Sequence, residues 1–348
     1  MLNARKALPA LLFSMALVPL NPICLEGSVP DAQIFGPRTA PLSTEAQEKL
    51  SELQGRLRDA QGKGDAQAEA GILHSIGLLN YAYQRFDEAL EAFSRSLTLY
   101  QQLNLESFEA AEFCEVGAAY TALGMEQKAL EAYKEALPLW RRLDRGREAA
   151  TLGKIAEVFR ALHDAGEALH FDQAALEAYA QAGDRGGQAT VLNNIGLAYF
   201  ASGDKHKAEK YFVKARTAFH AVANRAGEAA ALNNLAVAYT SSGNSGDALA
   251  SFEQALELHR RNNDRSAEAL TLNSIGLMYS RMGQSLIAHR FYGQAASIYH
   301  ALGDQQAETR ELNAVRLAVS DARRNDRKKK TDSDEGLNAC PSLLPMVH

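Results

Sequence analysis

"LNNIGLAYFASGDKHKAEKYF", Leu192 to Phe212, reads as two helices joined by a turn at Gly203-Asp204. Leu192, Ile195, Gly196 and Tyr199 share one face of a helix that advances about 100° per residue. The small residue in the middle of that face lets a second helix approach closely, and Ala208, Phe212 and Ala215 supply its facing stripe. One choice runs against the pattern. Asn193 and Asn194 sit inside the first helix, where asparagine is a poor helix former because its amide competes for backbone hydrogen bonds. The same choice returns at Asn233-Asn234, at Asn273 and at Asn313.

The stretch is one copy of a repeat. Ala208 has equivalents at Ala89, Ala129, Ala168, Ala248 and Ala288, with steps of 40, 39, 40, 40 and 40. An aliphatic or aromatic column precedes at Leu73, Phe113, Leu152, Leu192, Leu232, Leu272 and Leu312. Small residues follow it at Gly77, Gly117, Ala156, Gly196, Ala236 and Gly276, then aromatics at Tyr120, Phe159, Tyr199, Tyr239 and Tyr279, with Asn80 as the odd member. Gly124, Gly203, Gly243 and Gly283 mark the joint between the two helices. The short step is expected in the loop near Leu105, where a change of length is cheap. Neither helix can bury its face alone, so each pair must stack on its neighbours. A late column of Tyr100, Trp140, Tyr179, Phe219, His259 and Tyr299 is expected to seal each pair onto the next, and Asp144, Asp184 and Asp264 to cap first helices.

These columns, with "LNNIGLAY" and "GDKHKAEKYF" as the best copies, resemble tetratricopeptide repeats. The spacing of 40 and the Asn-Asn pair are similar to the kinesin-light-chain-like subtype found in bacterial proteins. The resemblance runs from about Asp65 to Asp304 and implies an all-α, right-handed α-solenoid of six helix-turn-helix repeats over 63–304. Gln84 and His163, at the inter-helix glycine, put the first and third repeats at risk of irregular geometry. A capping helix is expected over 43–62, with Leu50, Leu53 and Leu57 on one face, and another over 305–323, with Leu312, Val315 and Val319 inward and Arg310, Arg316 and Arg323 outward.

In the family a second stripe of the first helix lines a concave groove. Carried over, that stripe presents Asn193, Asn194, Leu197 and Phe200, then Asn233, Asn234, Val237 and Thr240, then Asn273, Leu277 and Arg281, and finally Asn313. An asparagine amide both donates and accepts. Two roles are therefore open for the row: it can bond the backbone of an extended peptide, or it can bond the neighbouring repeat and fix the stacking. The earlier repeats carry His74, Tyr81, Cys114, Glu115, Gly153, Lys154, Glu157 and Arg160 in the same columns, with Lys154 and Arg160 expected to be solvated or paired with Glu157.

The 348 residues are 46% hydrophobic and 23% charged, with a formal net charge of -5. That balance offers no electrostatic reason to expect nucleic acid. Cys24, Cys114 and Cys340 are too scattered for a disulfide framework or zinc site. No nucleophile elbow, metalloprotease helix, phosphate loop or dinucleotide fingerprint occurs, so no enzyme, cofactor or metal is expected. His163 and His170 read as surface histidines, and Cys114 as a small filler.

At the N-terminus, Arg5 and Lys6 precede an apolar run from Ala7 to Leu20, so residues 1–32 read as an export signal and 33–42 as a linker. The run is too short for a comfortable membrane span. Residues 324–348 are charged and proline-punctuated and read as a disordered tail. The leading expectation is a non-catalytic scaffold, exported to a periplasm, that holds a protein or peptide partner in its groove. The alternative, implied by related bacterial arrays, is the regulatory part of a caspase-like peptidase system.

Overall fold

The computed structural model describes residues 42–320, all within one compact unit. The readings of residues 1–41 and 321–348 as signal, linker and tail lie outside them. Thirteen helices run from α1 (Thr44–Lys63) through the pairs α2 (Ala66–Ala82) and α3 (Phe86–Gln102), α4 (Glu106–Ala122) and α5 (Glu126–Leu143), and α6 (Arg145–Ala161) and α7 (Ala165–Ala182). They continue with α8 (Arg185–Ala201) and α9 (Lys205–Ala221), α10 (Arg225–Ser241) and α11 (Ser245–Arg261), and α12 (Arg265–Arg281) and α13 (Ser285–Leu302). A last helix, α14, begins at 305 and is still helical at 320, where the described residues end. Among the described residues there is no strand. The architecture is an α-solenoid of six helix pairs, α2/α3 to α12/α13, between two further helices.

Four of the six pairs close because a ring fills the gap left by a missing side chain. A Cβ placed on Gly77 would lie 2.4 Å from the Phe93 ring, on Gly117 2.7 Å from Tyr133, on Gly196 2.6 Å from Phe212, and on Gly276 2.8 Å from Tyr292. Phe93 and Phe212 are fully buried, each contributing about 1.5–3 kcal/mol by leaving water. The late aromatic column then seals one pair onto the next. Tyr179 lies against Gly187 and Phe219 against Gly227, again closer than a Cβ would permit. The apolar clusters accordingly straddle repeats: Ala129, Leu130 and Tyr133 pack with Ile155 and Val158, and Ala248 and Phe252 with Ile275 and Met278.

Helix starts follow the acidic caps. Asp144, Asp184 and Asp264 accept backbone N–H groups as expected, and Asp65, Asn224 and Asp304 do the same at their own helices. The short step is not near Leu105, however. Asp144 ends α5 and caps α6 at once, so the left-handed residue that Asn104, Gly183, Ala223 and Asn263 supply at other junctions is the one removed there. The turns at Gln84 and His163 are not irregular either. Both residues take φ near 59° and 58°, the conformation of Gly124, Gly203, Gly243 and Gly283, so packing overrides a backbone preference of about 1–2 kcal/mol.

The end helices divide. In α1, Leu53 is buried and Leu50 and Leu57 pack with Ile72 and Ile76, as read from sequence. In α14 the inward stripe is Ala307, Glu311 and Ala318, with Val315 beside them, while Leu312 is 43% exposed. The expectation for Leu312 was wrong by one position, because the buried column one residue earlier in each first helix sets the register.

Candidate binding face on the first helices

Successive first helices touch one another, α6 on α8, α8 on α10 and α10 on α12, and no two second helices among the described residues pack as closely. The first helices therefore line the inner side of the stack. On that side the columns of the sequence reading meet across the repeats.

The asparagine row separates into two sets. Asn193 was expected on the open stripe, but it is only 5% exposed, and its Oδ1 accepts from Asn234 Nδ2 at 3.0 Å. Asn233 donates from Nδ2 to Thr271 Oγ1 at 2.9 Å, with His259 Nε2 3.2 Å away from the same nitrogen. Three helices, α10, α11 and α12, are tied there. Burial holds the His259 imidazole below its usual pKa, so the ring stays neutral and can accept. By contrast, Asn194 and Asn273 are half-buried and Asn313 is exposed, and none of these three side chains is hydrogen-bonded among the described residues.

The division follows from what the next repeat offers. The residue at column 193 of one repeat faces the residue at column 231 of the next, by the 40-residue ruler. Three of these pairs are joined: His74 Nδ1 lies 2.7 Å from a Glu112 carboxylate oxygen, Cys114 Sγ 3.4 Å from Thr151 Oγ1, and Asn233 donates to Thr271. Opposite Asn193 stands Ala231, which has nothing to bond, and Asn193 turns to Asn234 instead. Opposite Asn273 stands Glu311, whose Oε2 is buried without a partner and whose carboxyl burial pushes up to about 7.

The apolar members of the stripe remain open. Leu197, Phe200 and Val237 are half-buried, and Leu277 is 42% exposed. Leu317, 67% exposed, extends the column onto α14, and Leu78, 44% exposed, begins it on α2; neither was among the residues expected on the stripe. The 40-residue ruler alone identifies them.

A second residue escaped the sequence reading. Phe93, Tyr133, Phe212, Phe252 and Tyr292 form the wedge column, and in the third repeat Asp172 stands in it. Asp172 is fully buried, and Arg160 Nη1 donates to its Oδ2 at 2.6 Å. Arg160 thus pairs with Asp172, not with Glu157, whose partner is Lys154 at 2.9 Å. Burial pushes the Asp172 carboxyl up to about 6 against the opposing pull of Arg160, and its Oδ1 has no partner. Cys114 is a half-buried filler whose thiol is pushed up by desolvation, with Trp140 Nε1 donating to it at 3.4 Å. His163 and His170 are exposed.

A family model described as tetratricopeptide repeat matches residues 107–181, 147–221 and 227–304, more than half of the chain. The chain belongs to the tetratricopeptide-repeat family. Comparison with curated proteins gave no match. Among solved structures, this tetratricopeptide-repeat protein is similar to BtubC (BKLC) from P. vanneervenii, at 18% identity and a TM-score of 0.56 over 64% of this chain and 93% of that one. It is also similar to a Rap protein complexed with Competence and Sporulation Factor, at 15% identity and a TM-score of 0.53 over 79% and 81% of the two chains. The repeats of a Podosopora anserina putative kinesin light chain align at 18% identity and a TM-score of 0.46, over 55% and 94%. At these identities the likeness is one of fold. The tetratricopeptide-repeat fold marks the protein as a scaffold for contact with other proteins. Among the described residues no group of His, Cys, Asp and Glu could hold a metal ion, and no helix is long and apolar enough to cross a membrane.

Proposed function

We propose that the inner face of repeats four to six holds an extended segment of a partner protein. The observation that carries this is the open column Leu197, Val237, Leu277 and Leu317, with the unbonded amides of Asn194 and Asn273 three and four residues before its members on the same helices. Apolar side chains of the segment, alternating along its length, rest on that column and on Phe200. The amides of Asn194 and Asn273, and of Asn313 beyond them, bond its backbone in either sense. Asn193, Asn233 and Asn234 act one step back, by holding the repeats at the spacing the segment reads. The solved Rap protein complex, a similar fold with a factor bound, supports a binding role. Nothing in the described residues favours the peptidase-regulatory alternative.

The test compares capture of partner proteins by the wild-type full chain and by the double variant Leu197→Asp/Leu277→Asp, with melting temperature measured on both. Both side chains are partly open, so the variant should fold and lose the partners. Unchanged capture by a folded variant would place binding elsewhere. The scaffold is proposed to work outside the cytoplasm, on the strength of Arg5, Lys6 and the apolar run that follows; co-fractionation of the intact chain with cytosolic markers would refute that.

A further inference from the structure

We infer that the inner face of the first three repeats, at Tyr81, Glu115 and Glu157, takes a lysine or arginine side chain of the same bound segment. This rests on the groove reading above and adds the partner's charge to it.

The three residues come from the first helices α2, α4 and α6 and all are half-buried, with Tyr81 packed against the cluster that includes Val116 and Ala119 of α4. The carboxylates of Glu115 and Glu157 both act on the Tyr81 phenol, which burial already pushes up. Tyr81 is held by an edge contact with Phe86, ring centroids 5.2 Å apart. Ala118 stands between Glu115 and Glu157 in sequence, at the column where later repeats carry Leu197, Val237 and Leu277, and presents a much shorter side chain than theirs.

The charges at this end do not cancel. Lys154 is taken by Glu157, Arg160 by Asp172 and His74 by Glu112. Glu115 is left over: it is half-buried and has no hydrogen bond or ion pair among the described residues. Burial raises its carboxyl pKa, the His74 and Lys154 charges oppose that, and the Glu112 charge adds to it. Glu112, 2% exposed, is a second unsatisfied carboxylate, since its Oε2 has no partner. A desolvated acid beside another acid is stabilised in its charged form by an opposite charge brought within about 4–6 Å. The ring of Tyr81 suits the same cation. Lys154 does not fill the role, because its pair with Glu157 is solvent-exposed and weak.

The experiment selects a phage-displayed library of random linear peptides against the full chain and against Glu115→Gln/Glu157→Gln. Wild-type protein should recover peptides with lysine or arginine at one fixed spacing from apolar positions. The double variant should keep the apolar positions and lose the basic one. For a recovered peptide, replacing its basic residue with methionine should weaken wild-type binding about tenfold, and should change little in the variant. Glu115→Lys should turn the preference toward acidic residues. The glutamine variant should melt close to wild type, since Glu115 bonds nothing and the Glu157–Lys154 pair is solvent-exposed and weak. Apolar positions recovered without a basic one would overturn this inference and leave the groove standing. A basic preference that survives in the double variant would overturn it as well. Recovery of no peptides would sink both readings together.

Discussion

The amide of Asn233 donates to the hydroxyl of Thr271 at 2.9 Å, across 38 residues of sequence. With the His259 ring 3.2 Å from the same nitrogen, this is a bolt between the fifth and sixth repeats. Asn233→Ala removes a partner from two half-buried or buried groups, a loss of about 1–3 kcal/mol, against a gain of about half a kilocalorie from alanine's helix propensity. The melting temperature should fall. Asn194→Ala and Asn273→Ala, whose amides bond nothing in the described chain, should leave it level or slightly higher. Thermal melts of the three single variants check the division directly.

Gly196 and Gly153 offer a second contrast within first helices. A Cβ at Gly196 would meet the Phe212 ring at 2.6 Å, whereas one at Gly153 would meet nothing within 4 Å. Gly196→Ala should therefore destabilise by about 1–3 kcal/mol through overpacking. Gly153→Ala should stabilise by up to about 1 kcal/mol, the helix-propensity difference. Denaturant unfolding with an unchanged slope would read both.

Arg160 and Asp172 are coupled through a buried charge. Arg160→Leu leaves the fully buried Asp172 carboxylate without its 2.6 Å partner, which should cost about 3–5 kcal/mol at pH 8. Combining it with Asp172→Phe restores the wedge that Phe212 and Phe252 provide elsewhere. The double variant should recover most or all of that loss. A double variant as unstable as the single would show that the third repeat needs its polar pair.

Stability should respond to pH through the raised carboxyls. Glu311 is held at about 7 and Asp172 at about 6, above their unfolded values of about 4.3 and 3.9. A carboxyl raised on folding is destabilising when ionised, so its contribution is fully present below the unfolded pKa and is lost as pH rises through the folded one. Acidifying from pH 8 to pH 5 should raise the melting temperature. Below that, protonation of Glu148, which Arg141 and Arg145 hold below the usual carboxylate range against burial, reverses the trend. Glu311→Gln should raise stability at pH 8 and flatten the upper part of the profile. Calorimetry across this range gives the test.

The helix pairs, their caps and their buried faces were legible in the sequence because each depends on residues close together in the chain. Gly196 and Phe212 lie within one repeat, and six copies of the same columns remove any ambiguity of period. The candidate binding face was legible only as columns. Its apolar members could be extended by the ruler to Leu78 and Leu317. Its asparagines could not be sorted, because a side chain's partner is set by what the next repeat presents some 40 residues away. Ala231 opposite Asn193 and Thr271 opposite Asn233 send the same residue type to different partners. The same limit hid Asp172 behind Arg160 and turned Glu311, not Leu312, inward. Local periodicity determines which helices form and which faces they bury. Tertiary register alone decides which polar groups meet, since hydrogen bonds depend on contact within about 3 Å and the repeat fixes position only to the column.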